Sequence, residues 1–264
     1  MFALHATALD CLLAADADDK CRLTHGLRLA SRGHPLTLSE SELAEVFEPG
    51  RPPRPLLVAP RALERRRIGS EEGRAALIHS LTHIEFNAIN LALDAVYRFR
   101  HQPEGFYRDW IRVADEEATH FLLLRNHLRG LGYDYGDFPS HDGLWEMARK
   151  TAHDVLARMA LVPRCLEARG LDVTPGIRDR LSRCGDRAAA VLLDIILRDE
   201  IGHVSIGDHW FRYYCQQRQL DPESAFLDLL DSYFVGELKG PFNLDARHLA
   251  GFADRELRYL EQII

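Results

Sequence analysis

Glu117-Ala118-Thr119-His120 and Glu200-Ile201-Gly202-His203 are two copies of one pattern, Glu-x-x-His, set eighty-three residues apart. A lone glutamate precedes each copy: Glu85 lies thirty-two residues before Glu117, and Glu167 thirty-three before Glu200. On a helix, residues i and i+3 share a face, so each pair presents a carboxylate and an imidazole to one side. Four carboxylates and two imidazoles in a near-repeat form the ligand set of a dinuclear metal centre inside a four-helix bundle. One Glu-x-x-His alone is weak evidence, because helices are rich in glutamate. Two copies, each preceded by a helix with an acid in its apolar stripe, are much more specific.

The neighbours of these acids strengthen the reading. Glu85 falls among Leu81, Ala88 and Ala92, and Glu200 between Leu193 and Ile196 on one side and Val204 and Gly207 on the other. Glu167 shares its stripe with Leu156, Met159 and Pro163. A carboxylate in a core stripe is costly unless a cation or strong hydrogen bonds compensate it. Two metal ions would balance four such carboxylates. The donors are oxygen-rich and hard, which favours iron, with manganese or a mixed Mn/Fe pair as the alternative. A ligating histidine usually donates its second ring nitrogen to an acceptor, and Asp199, Glu116 and Asp115 are candidates for that supporting work. His79 and His83 flank Glu85 but point off its face and are assigned surface roles. His153 is expected to be packed or hydrogen-bonded rather than a ligand, while His127 and His209 carry no role. Pro163 should kink or loosen the helix that bears Glu167, by removing a backbone hydrogen bond.

Such a constellation needs four long helices, and the chain supplies the pattern for them. Ser70 followed by Glu71 and Glu72 marks a helix start, and the apolar face then runs Leu77, Leu81, Ala88, Ala92, Val96 and Phe99. A second helix is expected to start near Phe106 and to end before Gly130. A third is expected from Asp142 to Arg169, ended by Gly170 before Val173-Thr174-Pro175-Gly176. A fourth spans Arg187 to Gln217. Ahead of them lies a helical stretch, Ala6 to Ala30. An arm from His34 to Pro60 follows, with seven proline or glycine residues, which is expected to lie extended on the main domain. A last helix, Pro222 to Gly236, and a tail complete the chain. The expected class is all-α, with segments 1–69 (helix and arm), 70–217 (bundle) and 218–264 (C-terminal helix and tail).

Composition narrows the setting. Hydrophobic residues make up 46% and charged residues 28% of the 264, so the chain has the balance of a packed globular protein. A net charge of −7 gives no overall basic field for a phosphate backbone, although Arg61, Arg65, Arg66 and Arg67 cluster locally. Five cysteines, with no Cys-x-x-Cys spacing, read as free thiols. No apolar run approaches a membrane span and no signal peptide is evident. The expected location is the cytoplasm.

The chain resembles the ferritin-like superfamily of di-iron carboxylate proteins and, more closely, the bacterial family catalogued as domain of unknown function 455. The resemblance is carried by His83-Ile84-Glu85, by Asp109-Trp110-Ile111-Arg112-Val113 through Glu117 and His120, and by Leu156 through Pro175. It continues in Arg198-Asp199-Glu200-Ile201-Gly202-His203 and Lys239-Gly240-Pro241-Phe242-Asn243. It implies a ferritin-like four-helix bundle with an N-terminal arm and extra C-terminal helices. It also implies that Glu117 and Glu200 bridge two iron ions, Glu85 and Glu167 are terminal carboxylates, and His120 and His203 cap one metal each. The leading expectation is an oxygen-activating oxidase or hydroxylase. Its substrate would be a small organic molecule or a modified nucleoside or tRNA base, and an electron donor would serve it if it is an oxygenase. The alternatives are an iron-oxidising, iron-binding ferritin-like protein and a non-catalytic partner-binding bundle. About a hundred residues of arm and tail argue for a monomer or small oligomer rather than a storage cage.

Overall fold

Ser70 starts the first long helix as its sequence suggests, its Oγ accepting from the Gly73 N–H at 3.0 Å. In the computed structural model, residues 3–33, 35–38, 45–64, 66–233 and 240–262 are described. Every regular element among them is helical, and the only strand-like pairings are two isolated bridges, Ala3 with Thr37 and Leu57 with Ser140. The chain divides into two compact units, residues 1–149 and 150–264.

The first unit opens with α1 (Leu4–Leu13) and α2 (Ala17–Ser31) rather than one continuous helix. Asp16 makes the break, because its side chain accepts from the Asp19 N–H at 2.9 Å and restarts the chain as an N-cap. Lys20 of α2 then donates to the carbonyls of Cys11 and Leu12 at 3.0 and 2.7 Å, satisfying the end of α1. The described part of the proline-rich arm runs along this unit. Gly50 N–H reaches Leu12 O, Val58 N–H reaches Ser140 O, and the Trp145 indole donates to Phe47 O. Of the local arginine cluster, Arg66 pairs with Glu64 and Glu72, and Arg65 lies outside the described residues.

α3 (Glu71–Arg98) and α4 (Glu104–Gly130) form the centre of the first unit. The five-residue connection between them closes when Tyr107 Oη donates to Phe99 O at 3.0 Å. α1 and α4 pack on α3, and α2 packs on α4. As a result α3 is buried without interruption from Glu85 to Tyr97, as a helix enclosed on most sides must be. α5 (Gly143–Lys150) follows the turn-rich linker.

The second unit corrects the third expected helix. The chain turns at 151–153, Asp154 caps α6 (Val155–Leu161) by accepting from Leu156 N–H at 3.0 Å, and the boundary between units lies inside the segment read as one helix. Val162–Glu167 forms a π-helical turn with Pro163 in it, as the expected loosening at that proline requires. α7 (Ala168–Arg183) continues past Gly170 and straight through Pro175 instead of ending before it. The reason lies in the tail: Pro175 leaves the Leu171 carbonyl without its helical donor, and Asn243 Nδ2 donates to that carbonyl at 3.1 Å.

α8 (Arg187–Gln217) has the limits its sequence indicated, capped by Asp186 at Ala189 N–H. α9 (Pro222–Tyr233) follows, and the remainder of that expected helix, 234–236, lies outside the described residues. The tail carries two further helices, α10 (Leu244–Leu249) and α11 (Asp254–Gln262). All five cysteines are free thiols. Cys11, Cys21, Cys165 and Cys215 are buried and Cys184 is half-exposed.

Candidate metal centre

In the first unit, α3 and α4 bring together three of the residues singled out by spacing. Glu85 projects from the enclosed stretch of α3, and Glu117 and His120 from consecutive turns of α4. One ligand atom from each lies within 4.8 Å of the others. All three are buried, at 5%, 0% and 1% exposure. His120 Nδ1 stands 3.5 Å from Glu85 Oε2 and 3.4 Å from Glu117 Oε2. Phe86 and Phe121, the residues next in sequence to Glu85 and His120, are buried with their ring centroids 5.5 Å apart, so α3 and α4 also meet through apolar surface.

The electrostatics of this cluster fit a cation. Burial, with the Glu117 carboxylate beside it, pushes the Glu85 carboxyl well above its ordinary range. Burial alone would lower the His120 imidazole, but the Glu117 and Glu85 carboxylates outweigh it and hold it up at about 11. Both shifts show that this dry cluster favours added positive charge, and a metal ion bound there would displace protons from its ligands. Two carboxylates and an imidazole, dry and convergent, are a donor set suited to a hard or borderline divalent ion.

The second unit carries the other motif. Glu200 and His203 are buried one turn apart on α8, with Glu200 Oε1 3.8 Å from His203 Nδ1. Glu167 closes the π turn and is half-buried. The residues expected to support the ligands have partners of their own. Asp115 lies 2.6 Å from His25 Nδ1, Glu116 accepts from Arg112 at 2.8 Å, and Asp199 accepts from Arg198 at 2.9 Å.

Two histidines are corrected. His79 and His83 are buried rather than on the surface, because α3 is enclosed on more than its Glu85 face. His79 Nε2 accepts from Gly136 N–H at 2.9 Å. His83 lies 2.8 Å from Tyr135 Oη and 3.1 Å from the His141 carbonyl. Burial pushes both imidazoles down to about 4. Tyr135 sits in a turn-rich linker fifty-two residues from His83, and no periodicity links the two. His153 is hydrogen-bonded, to Tyr233 Oη at 3.0 Å. Arg164 is a residue that the spacing of acids and histidines did not reach. It is fully buried, and a charge inside the apolar run Leu156–Leu166 was the available signal.

The described residues thus form an all-helical protein with a buried carboxylate–imidazole cluster able to hold a metal ion. None of their helices is long and apolar enough to cross a membrane. The chain belongs to the family described as "Protein of unknown function (DUF455)", whose model matches residues 13–258. It is also similar to an uncharacterized protein of Haemophilus influenzae, with 46% identity over 96% of this chain and 91% of that one. No solved structure matches it.

Proposed function

We propose that the protein holds a dinuclear metal centre, with iron the favoured metal, and uses it to oxidise or hydroxylate an organic substrate with dioxygen. The observation that carries this reading is the burial and convergence of Glu85, Glu117 and His120. The second Glu-x-x-His, with Glu200 and His203 buried on one face of α8, supports a six-ligand set that also includes Glu167. In this reading the helices are arranged as in ferritin-like bundles. Glu85, Glu117, Glu167 and Glu200 would hold the ions through their carboxylates and His120 and His203 through their imidazoles, with Glu117 and Glu200 the carboxylates common to both. Manganese or a mixed pair is the alternative occupant.

The bound ions would supply the redox capacity that no side chain of the set possesses. The chain's own residues would hold and orient them, and the burial of Glu85, Glu117 and His120 keeps water from the cluster. With two divalent ions bound, the four carboxylates would make an oxygen-rich site near charge neutrality. The substrate class we favour is a small organic molecule, with a modified nucleoside or tRNA base as one form of it. As an oxygenase it would need an electron donor, and the protein would work as a monomer or small oligomer.

Metal analysis of protein purified from iron-replete cells tests this directly, with two iron ions per chain expected. Glu117→Ala should abolish dinuclear binding, whereas His209→Ala, at an exposed position on α8, should leave it intact. A Glu117→Ala protein that still holds two ions per chain would overturn the ligand assignment. A particle of many subunits in light scattering would point instead to iron storage.

A further inference from the structure

Arg164 follows Pro163 in the π turn and is fully buried. Its guanidinium carbon lies 4.5, 4.1 and 4.7 Å from the ring centroids of Phe211, Phe226 and Phe252, a cage built from α8, α9 and the turn before α11. Nη2 donates to Glu256 Oε1 at 2.6 Å. Nε stands 2.9 Å from Asp208 Oδ1, an ion pair rather than an aligned hydrogen bond. Arg212 donates to the same two acids at 2.8 and 3.1 Å, so two guanidiniums face two carboxylates. Glu256 also accepts from Ala253 N–H at 2.8 Å, which ties the start of α11 to the cluster.

The other side of the turn is fixed by shape. Gly207 of α8 meets Pro163 so closely that a Cβ there would fall 2.3 Å from the proline Cβ. A steric notch and a charge clamp therefore hold the same six residues in π geometry. That geometry has a consequence three residues past Arg164. Relaxation of the turn to α-helical bonding would shift the register by one residue and rotate the Glu167 side chain by about 100°.

We propose that Arg164, clamped by Glu256 and Asp208 inside the phenylalanine cage, is a positioning residue that holds the π turn and so aims the Glu167 carboxylate. The C-terminal helix α11 is then part of the support of the metal site. The link to metal rests on Glu167 being a ligand, as proposed above.

Amide hydrogen exchange on Glu256→Gln and Gly207→Ala tests the clamp without any metal. The expected result is exchange about tenfold faster at 162–168, with α8 amides keeping their rates. Unchanged exchange in both variants, or loosening spread evenly through 150–264, would overturn it. Manganese(II) titration followed by electron paramagnetic resonance tests the link. Glu256→Gln should weaken one of two ions about tenfold and change the signal as Glu167→Gln does, while the double variant should be no worse than Glu167→Gln alone. Additive losses would overturn the link. A wild-type chain that takes up no manganese or iron would overturn the metal reading and the link together, with the exchange result still deciding the clamp.

Discussion

At His79 a neutral imidazole is built into the first unit. Nε2 accepts from Gly136 N–H, so the ring proton sits on Nδ1, and burial holds the ring down to about 4. Above pH 6.5 the ring is neutral in folded and unfolded chains alike and adds nothing to the pH dependence of stability. Below that value the unfolded chain takes a proton that the folded one refuses until about pH 4, so stability falls through this window. At about 1.4 kcal/mol per pH unit, the loss is roughly 3 kcal/mol. Replacing His79 by Gln keeps an acceptor for Gly136 but removes the titration. Urea unfolding of His79→Gln between pH 6.5 and 4 should show a flatter profile than the parent; an unchanged slope would assign the acid sensitivity elsewhere. The same residue marks a limit of pattern reading. The spacing to Glu85 correctly placed His79 on a different helix face, but burial of that other face depends on the 133–141 segment folding back, which no local pattern encodes.

At the scale of elements, the informative case is a helix that ignores its stop signals. Gly170 and Pro175 are sound reasons to end a helix, yet α7 runs through both. Asn243, some seventy residues on, donates to the carbonyl that Pro175 frees and also caps α10 by accepting from Ala246 N–H at 3.2 Å. Asn243→Ala should therefore cost about 2 kcal/mol, counting a cap and a hydrogen bond to a buried carbonyl. In a Pro175→Ala background, where the helix regains its own N–H, the penalty should shrink by about 1 kcal/mol. Equal penalties in both backgrounds would mean that Asn243 acts only as a cap. Elements with local causes were legible in the sequence: Ser70 and Asp186 start α3 and α8, and α8 ends where its pattern does. The π turn also has a local cause, a proline, and so does the break at Asp16, an Asx cap that the single helical stretch Ala6 to Ala30 passed over. Passage through Pro175 was not legible, because its cause is a contact from the tail.

Across the whole molecule, each unit carries one Glu-x-x-His motif, and the repeat in sequence is also a division in structure: Glu85, Glu117 and His120 in residues 1–149, and Glu167, Glu200 and His203 in residues 150–264. The acids were legible because the sequence sets charge in apolar stripes, where it is penalised without a partner. Arg164 obeys the same logic with the opposite sign, and its partners are side chains of α8 and α11. The distribution of thiols turns this division into a measurement. Burial raises Cys11 to about 11 and Cys21 to about 12 in the first unit, and Cys165 to about 12 and Cys215 to about 11 in the second, so these four are poor nucleophiles while folded. A maleimide at neutral pH should label the native protein once, at the half-exposed Cys184, and modify the others only as their surroundings open. Peptide mapping along a denaturant series would then report opening of each unit by its own pair of cysteines. Early labelling of Cys165 and Cys215 ahead of Cys11 and Cys21, or the reverse, would show which half of the proposed ligand set is lost first.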